Sequence, residues 1–134
     1  MVFLPVFVFA QSKTELKSNK IKSKTVEKTE QKDGQTITYK EFYEEYDKNG
    51  RTVLQIEYSK SGEIKKKETF KYDSFGNEIE KTVYEKKSGT TVKTVTKYDA
   101  NGEKAEETVY DSAGQIMQKQ TYTVDNKGFR KEAK

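Results

Sequence analysis

From Thr25 onward, segments of about eight to ten residues rich in Thr, Val, Ile, Tyr and Phe are separated by short polar stretches that each hold a glycine. Within the segments apolar and polar residues alternate. Ile64, Phe70 and Tyr72 share one parity, as do Val92 and Tyr98, and Ile116, Tyr122 and Val124. The opposite parity reads Lys65, Lys67, Thr69 and Lys71, then Lys93, Val95 and Lys97, then Met117, Lys119, Thr121 and Thr123. A period of two with β-branched and aromatic residues predicts strands, each with an aromatic and aliphatic face and a lysine-studded one. Intervening segments are less clean: Leu54, Ile56 and Tyr58 alternate with Val53, Gln55 and Glu57, and Val83 and Val109 oppose Tyr84 and Tyr110.

The glycines punctuate these strands on a fixed period. Gly50, Gly76, Gly102 and Gly128 follow one another at 26 residues, and the interleaved Gly62, Gly89 and Gly114 at 27 and 25, so the unit is a repeat holding two turns. All six aspartates sit in turns: Asp33, Asp47, Asp73, Asp99, Asp111 and Asp125. An Asp at the first turn position bonds its side chain to backbone two residues on. A Gly at the fourth adopts the positive φ that closes a type I turn in a bulge. Acid placement is therefore architectural first, and these residues are assigned to the turns.

Successive tight turns joining successive strands predict an all-β fold: an antiparallel meander of about nine strands in a single twisted sheet, open to curling on its tyrosine side. The first hairpin, near residues 25–31 and 36–46, is the least regular, since Gly34 to Gly50 is 16 residues. Residues 11–24 are polar and lysine-rich and read as a flexible lead-in to a β-repeat domain over 25–134.

The four full Y-D-x-x-G turns at Tyr46, Tyr72, Tyr98 and Tyr110 resemble the YD repeats of Rhs-type bacterial secreted and surface proteins, over roughly residues 46–128. Departures exist: Ser59 follows Tyr58, Tyr84-Glu85 has one extra residue before Gly89, and Val124 replaces a tyrosine. The resemblance implies a secreted or surface role. Rhs proteins wrap many more repeats around a toxin domain, and this chain has neither the repeat number nor a spare domain for that activity. A weaker resemblance is to MORN-like hairpin repeats, whose glycine pattern fits less well.

Residues 2–10, VFLPVFVFA, form an apolar run ending at Ala10 before Gln11 and Ser12. This reads as a signal peptide over residues 1–10, with Gln11 first in the mature chain. No Lys or Arg precedes the run, so a basic stretch is expected upstream. The competing reading is a buried N-terminal strand. At nine residues the run falls short of the ~20 that span a bilayer, and no transmembrane segment is expected. No Cys follows that could carry a lipid anchor. The expected location is secreted, periplasmic or at the bacterial cell surface.

Composition narrows the chemistry. The 134 residues are only 31% hydrophobic, against about 45–50% in ordinary soluble domains, so a thick two-layer core is not expected. There is no His, Cys or Trp. Histidine acid–base catalysis, thiol chemistry, disulfides and Cys/His metal sites fall together. Asp47-Lys48-Asn49-Gly50 and Asp99-Ala100-Asn101-Gly102 lack the third carboxylate and distal Glu of a calcium loop. Paired acids such as Glu106-Glu107 point to opposite strand faces, against glycosidase work. No cofactor, metal or catalytic residue is assigned.

Contact remains as the expected function: an exported, non-enzymatic module for binding or scaffolding at the envelope or outside it. Tyr46, Tyr58, Tyr72, Tyr84, Tyr98 and Tyr110 pack over their own turns, and as candidate binding residues they offer an aromatic platform for carbohydrate. The alternative is a protein–protein interaction repeat with no glycan role. Lys65, Lys67, Lys71, Lys93 and Lys97 suggest attraction to acidic polysaccharide or envelope lipid. With net charge +4 and Arg51 and Arg130 the two arginines, specific nucleic-acid reading is not expected. Unpaired edge strands leave self-association open.

Overall fold

The computed structural model describes residues 21–124 and the backbone of a last strand at 130–133; the apolar run at residues 2–10, most of the lead-in, and the turn at Asp125 and Gly128 lie outside the described residues. The fold is all-β. Nine strands follow in sequence order as an antiparallel meander: β1 (Ser23–Lys32), β2 (Gln35–Tyr46), β3 (Thr52–Tyr58), β4 (Ile64–Tyr72), β5 (Glu78–Glu85), β6 (Thr90–Tyr98), β7 (Lys104–Tyr110), β8 (Ile116–Val124) and β9 (Arg130–Ala133). Strand β1 begins two residues inside the expected lead-in, because Ser23 and Lys24 pair with Glu45 and Glu44 of the long strand β2. The chain divides into two compact units, Met1–Glu68 and Thr69–Lys134.

Each hairpin is written in its turn. Asp47 N–H donates to the Arg51 carbonyl (2.9 Å) and Gly50 N–H to the Asp47 carbonyl (3.0 Å), which is the bulged type I closure, with Gly50 at φ 75°. The Asp47 Oδ1 accepts from the backbone N–H of Asn49 (2.8 Å) and of Arg51 (3.0 Å). Asp73, Asp99 and Asp111 repeat this double acceptance at 2.9–3.0 Å. Ser59 stands in the same place and accepts from Glu63 N–H at 3.2 Å. Two turns differ. Asp33 and Gly34 both have positive φ, 52° and 76°, a two-residue type I′ loop that needs no carboxylate cap. The turn to Gly89 is closed by Gly89 N–H on the Lys86 carbonyl at 3.1 Å, between paired Glu85 and Thr90.

In the first unit, Phe42 pairs with Val26 and Glu57, and Glu44 with Lys24 and Gln55, on one face. Tyr43 pairs with Thr25 and Ile56 on the other. In the second unit, Thr94 pairs with Lys81 and Val109, while Lys93 pairs with Thr82 and Tyr110 and Lys97 with Glu106. Bulges shift the register beside Tyr46, Tyr98 and Tyr110. The repeat thus sets a local bend next to these turn tyrosines as well as the turn itself.

Among the described residues no large side chain is fully buried; the buried polar ones are Thr96 at 8% and Thr108 at 4% exposure. Both units are stabilised chiefly by backbone ladders, turn closures and cross-strand pairs, each pair contributing roughly 0.2–1 kcal/mol.

Candidate functional site

The tyrosines do not gather on one surface. Tyr98 continues the parity of Thr94 and Thr96, on the face of Lys81 and Val109. Phe70, over whose ring Lys81 Nζ lies at 5.4 Å, belongs to that face, and Tyr72 shares its parity. Tyr110 pairs with Lys93, whose Nζ lies 5.1 Å from its ring centre, and Tyr84 pairs with Thr91, so these two occupy the lysine face. In the first unit Tyr58 and Tyr43 share Lys40, at 5.4 and 5.9 Å from the two rings.

Several phenols already have partners. Tyr46 donates to Glu44, which also takes Lys24 Nζ at 3.0 Å and Gln55 Nε2 at 2.8 Å. Burial first, then this bond to a carboxylate, raises the Tyr46 phenol well above the ordinary tyrosine range. Burial pushes the Glu44 carboxyl up, but the three donors outweigh it and hold it below its usual value. Tyr98 donates to the Glu78 carbonyl at 2.8 Å. Tyr46 thus bonds within its own strand and Tyr98 to the strand that follows the Asp73 turn; neither of these bonds is to the tyrosine's own turn.

The lysine face is a ladder of opposite charges. Lys71 meets Glu80 at 2.9 Å, and Glu106 receives Lys97 at 3.0 Å and Lys119 at 3.2 Å, which hold its carboxyl below the ordinary range. In the first unit Lys65 meets Glu57 at 2.8 Å, and Lys67 is exposed. Antiparallel register places these signs opposite one another, so the positive potential is broken up along the face.

A different feature stands out in the second unit: a groove of about 1020 Å³ between the turn after Tyr72 and the turn after Tyr98. Its apolar lining includes Phe75, Ile79, Val95 and Tyr98. Phe75 is 89% exposed, the most exposed large hydrophobic side chain among the described residues. Its acids are Asp73, Glu80 and Asp99 against the single base Lys97, a local excess of negative charge on a chain of net charge +4. Glu80 and Lys97 are both engaged across strands. Burial raises the Asp73 carboxyl, but backbone and side-chain bonds from Asn77, with the backbone of Phe75, more than offset it and keep the group ionised through neutral pH. No group of three or more acidic side chains among the described residues is placed to hold a metal ion.

Sequence reasoning assigned Phe75 only to a turn, yet the repeat contains the signal that singles it out. The residue before the turn glycine is Asn49, Ser61, Phe75, Asn101 and Ala113 in the five described turns of like closure. In the four aspartate turns that position gives its backbone N–H to the Asp carboxylate, and at Ser61 the hydroxyl also bonds the Ser59 hydroxyl at 2.8 Å; the fold does not ask for an aromatic there.

Fold and groove define a tandem-hairpin β-sheet protein with an aromatic-edged surface groove. The chain belongs to a family whose model matches residues 9–128 and is described as an uncharacterised protein. No curated protein matches the chain.

Proposed function

We propose that the protein is an exported, non-enzymatic β-repeat module that acts by contact, binding or scaffolding at the cell envelope or outside it, with the Phe75 groove as its contact surface. One observation carries the reading. A large aromatic side chain stands 89% exposed at a position where the other turns of its kind carry small or polar residues, so its apolar surface is covered only when something else arrives. The division of Tyr72 and Tyr98 from Tyr84 and Tyr110 between two faces favours a protein-contact module over a broad tyrosine platform for carbohydrate. The signal-like run at residues 2–10 and the resemblance to YD repeats of secreted and surface proteins support the location.

The test is retention of purified protein on envelope preparations from cells that express it, with cell fractionation alongside. Retention that falls at least about tenfold in Phe75→Ser while the circular dichroism spectrum is unchanged supports the reading. Equal retention of the variant, or a wild-type chain found in the cytoplasm, rejects it. Glycan-array binding lost in Tyr72→Ala and Tyr98→Ala but kept in Phe75→Ser would transfer the function to carbohydrate.

A further inference from the structure

We infer that the groove takes an extended segment of a partner polypeptide in which an apolar side chain is flanked by Lys or Arg. The inference rests on the contact-module reading and adds the chemistry of the partner.

Three features converge. The apolar lining on the Tyr98 face, Ile79 and Tyr98 with Phe75 at the turn, suits an aliphatic or aromatic anchor. Tyr98 already gives its hydroxyl proton to the Glu78 carbonyl at 2.8 Å, so its ring remains as contact surface while its donor is spent on the fold. That favours an apolar side chain over a ligand needing phenolic hydrogen bonds.

Charge selects what flanks the anchor. Asp73 and Asp99 stand on the two turn walls, each carboxylate pinned by two backbone N–H groups, so neither can swing away from an approaching ligand. Glu80 is answered by Lys71 at 2.9 Å and adds no free charge. Lys97, the one base in the lining, is drawn to Glu106 at 3.0 Å on the lysine face. An anionic segment meets fixed charges of its own sign; a cationic one is steered in and held. The same charges disfavour anionic lipid as the cover for Phe75.

The experiment uses the full chain labelled with nitrogen-15 and two probe peptides of equal length, each with a central Leu flanked by two Lys or by two Glu. The Lys peptide is expected to shift the amide signals of Phe75, Gly76 and Gly102. The Glu peptide should bind at least about tenfold more weakly, a difference of about 1.4 kcal/mol. Added salt should narrow the gap. Phe75→Ser should lose the shifts and Phe75→Trp keep them. Because Phe75 is so exposed, both variants should retain the fold, checked by the dispersion of the remaining signals. Equal affinity for the two peptides, shifts elsewhere only, or no titration by the Lys peptide overturns the inference. So does movement of the groove signals by a neutral oligosaccharide or by phosphatidylglycerol vesicles while the Lys peptide leaves them still. If the peptides fail but envelope retention still depends on Phe75, the contact module stands without this partner; if retention is also independent of Phe75, both fail.

Discussion

The serine turn at Ser59 offers a sharp measure of what the aspartate turns contribute. Ser59 accepts from Glu63 N–H at 3.2 Å, whereas Asp111, in the same closure, accepts from Ala113 and Gln115 N–H at 2.9 Å each. Ser59→Asp should add one acceptance and place a charge on both. A net intramolecular hydrogen bond contributes about 0.5–1.5 kcal/mol, and a bond to a charged group up to about 3 when sheltered. The turn is exposed and Glu63 is of like sign, so the lower part of that range applies. The expected gain is about 0.5–1 kcal/mol, or roughly 2–5 °C in melting temperature for a chain of this length. The reverse change, Asp111→Ser, should lose a similar amount. Urea titration and thermal melts followed by circular dichroism measure both. The pH dependence is read at Asp73, where burial raises the carboxyl but backbone and side-chain bonds from Asn77, with the backbone of Phe75, hold it below its ordinary value. Its contribution is present above the unfolded value of about 3.9 and disappears as pH falls through the folded one, so Asp73→Ser should cost stability at pH 7 and much less at pH 2. A Ser59→Asp variant that is no more stable at pH 7 would refute the view that the carboxylate sets turn strength.

Gly114 has φ 81° and no atom within 4 Å of a built Cβ, so Gly114→Ala should cost about 1–2 kcal/mol from backbone conformation alone and Gly114→Asn distinctly less, read by urea titration. The Tyr46 phenol, raised by burial and by Glu44, should be absent from an ultraviolet titration across the range where ordinary tyrosines ionise. Its stabilisation is present below the unfolded pKa of about 10 and lost as pH rises through the folded one; Tyr46→Phe should remove that component of the alkaline stability loss.

The fold was legible because its information is local. Each Tyr-Asp-x-x-Gly states where a strand stops, which oxygen caps the turn and where the chain turns left-handed, and none of this depends on a distant partner. The bulges beside Tyr46, Tyr98 and Tyr110 were not, since a bulge is a mismatch between two strands and neither sequence shows it alone. Each shifts which residue a tyrosine faces while leaving the tyrosine's own strand parity intact: Ile116 comes to pair with Tyr110 by such a shift. The lysine stripe shows in the sequence as a parity, while the glutamates that answer it, Glu80 and Glu106, lie on neighbouring strands and enter only with register. Phe75 was visible as a letter, but its meaning needed the turns to be shown equivalent.

That equivalence has a consequence for how such a chain acquires a contact surface. In a domain with a packed interior, an exposed aromatic is constrained through neighbours that also serve the core, and replacing it disturbs both binding and stability. Here no large side chain among the described residues is fully buried, and the turn at Asp73 is held by backbone groups, one carboxylate and the Asn77 amide, none of them the side chain at 75. The side chain at 75 can change identity while the turn's bonds stay the same, as Asn101 and Ala113 show at corresponding positions. Binding specificity can then be rewritten at one turn residue with little effect on folding, and neighbouring repeats can differ in what they contact while sharing one scaffold. The low hydrophobic content follows from the same arrangement: a sheet that spends its apolar residues on cross-strand pairs can leave an unpaired ring at its edge without losing a core.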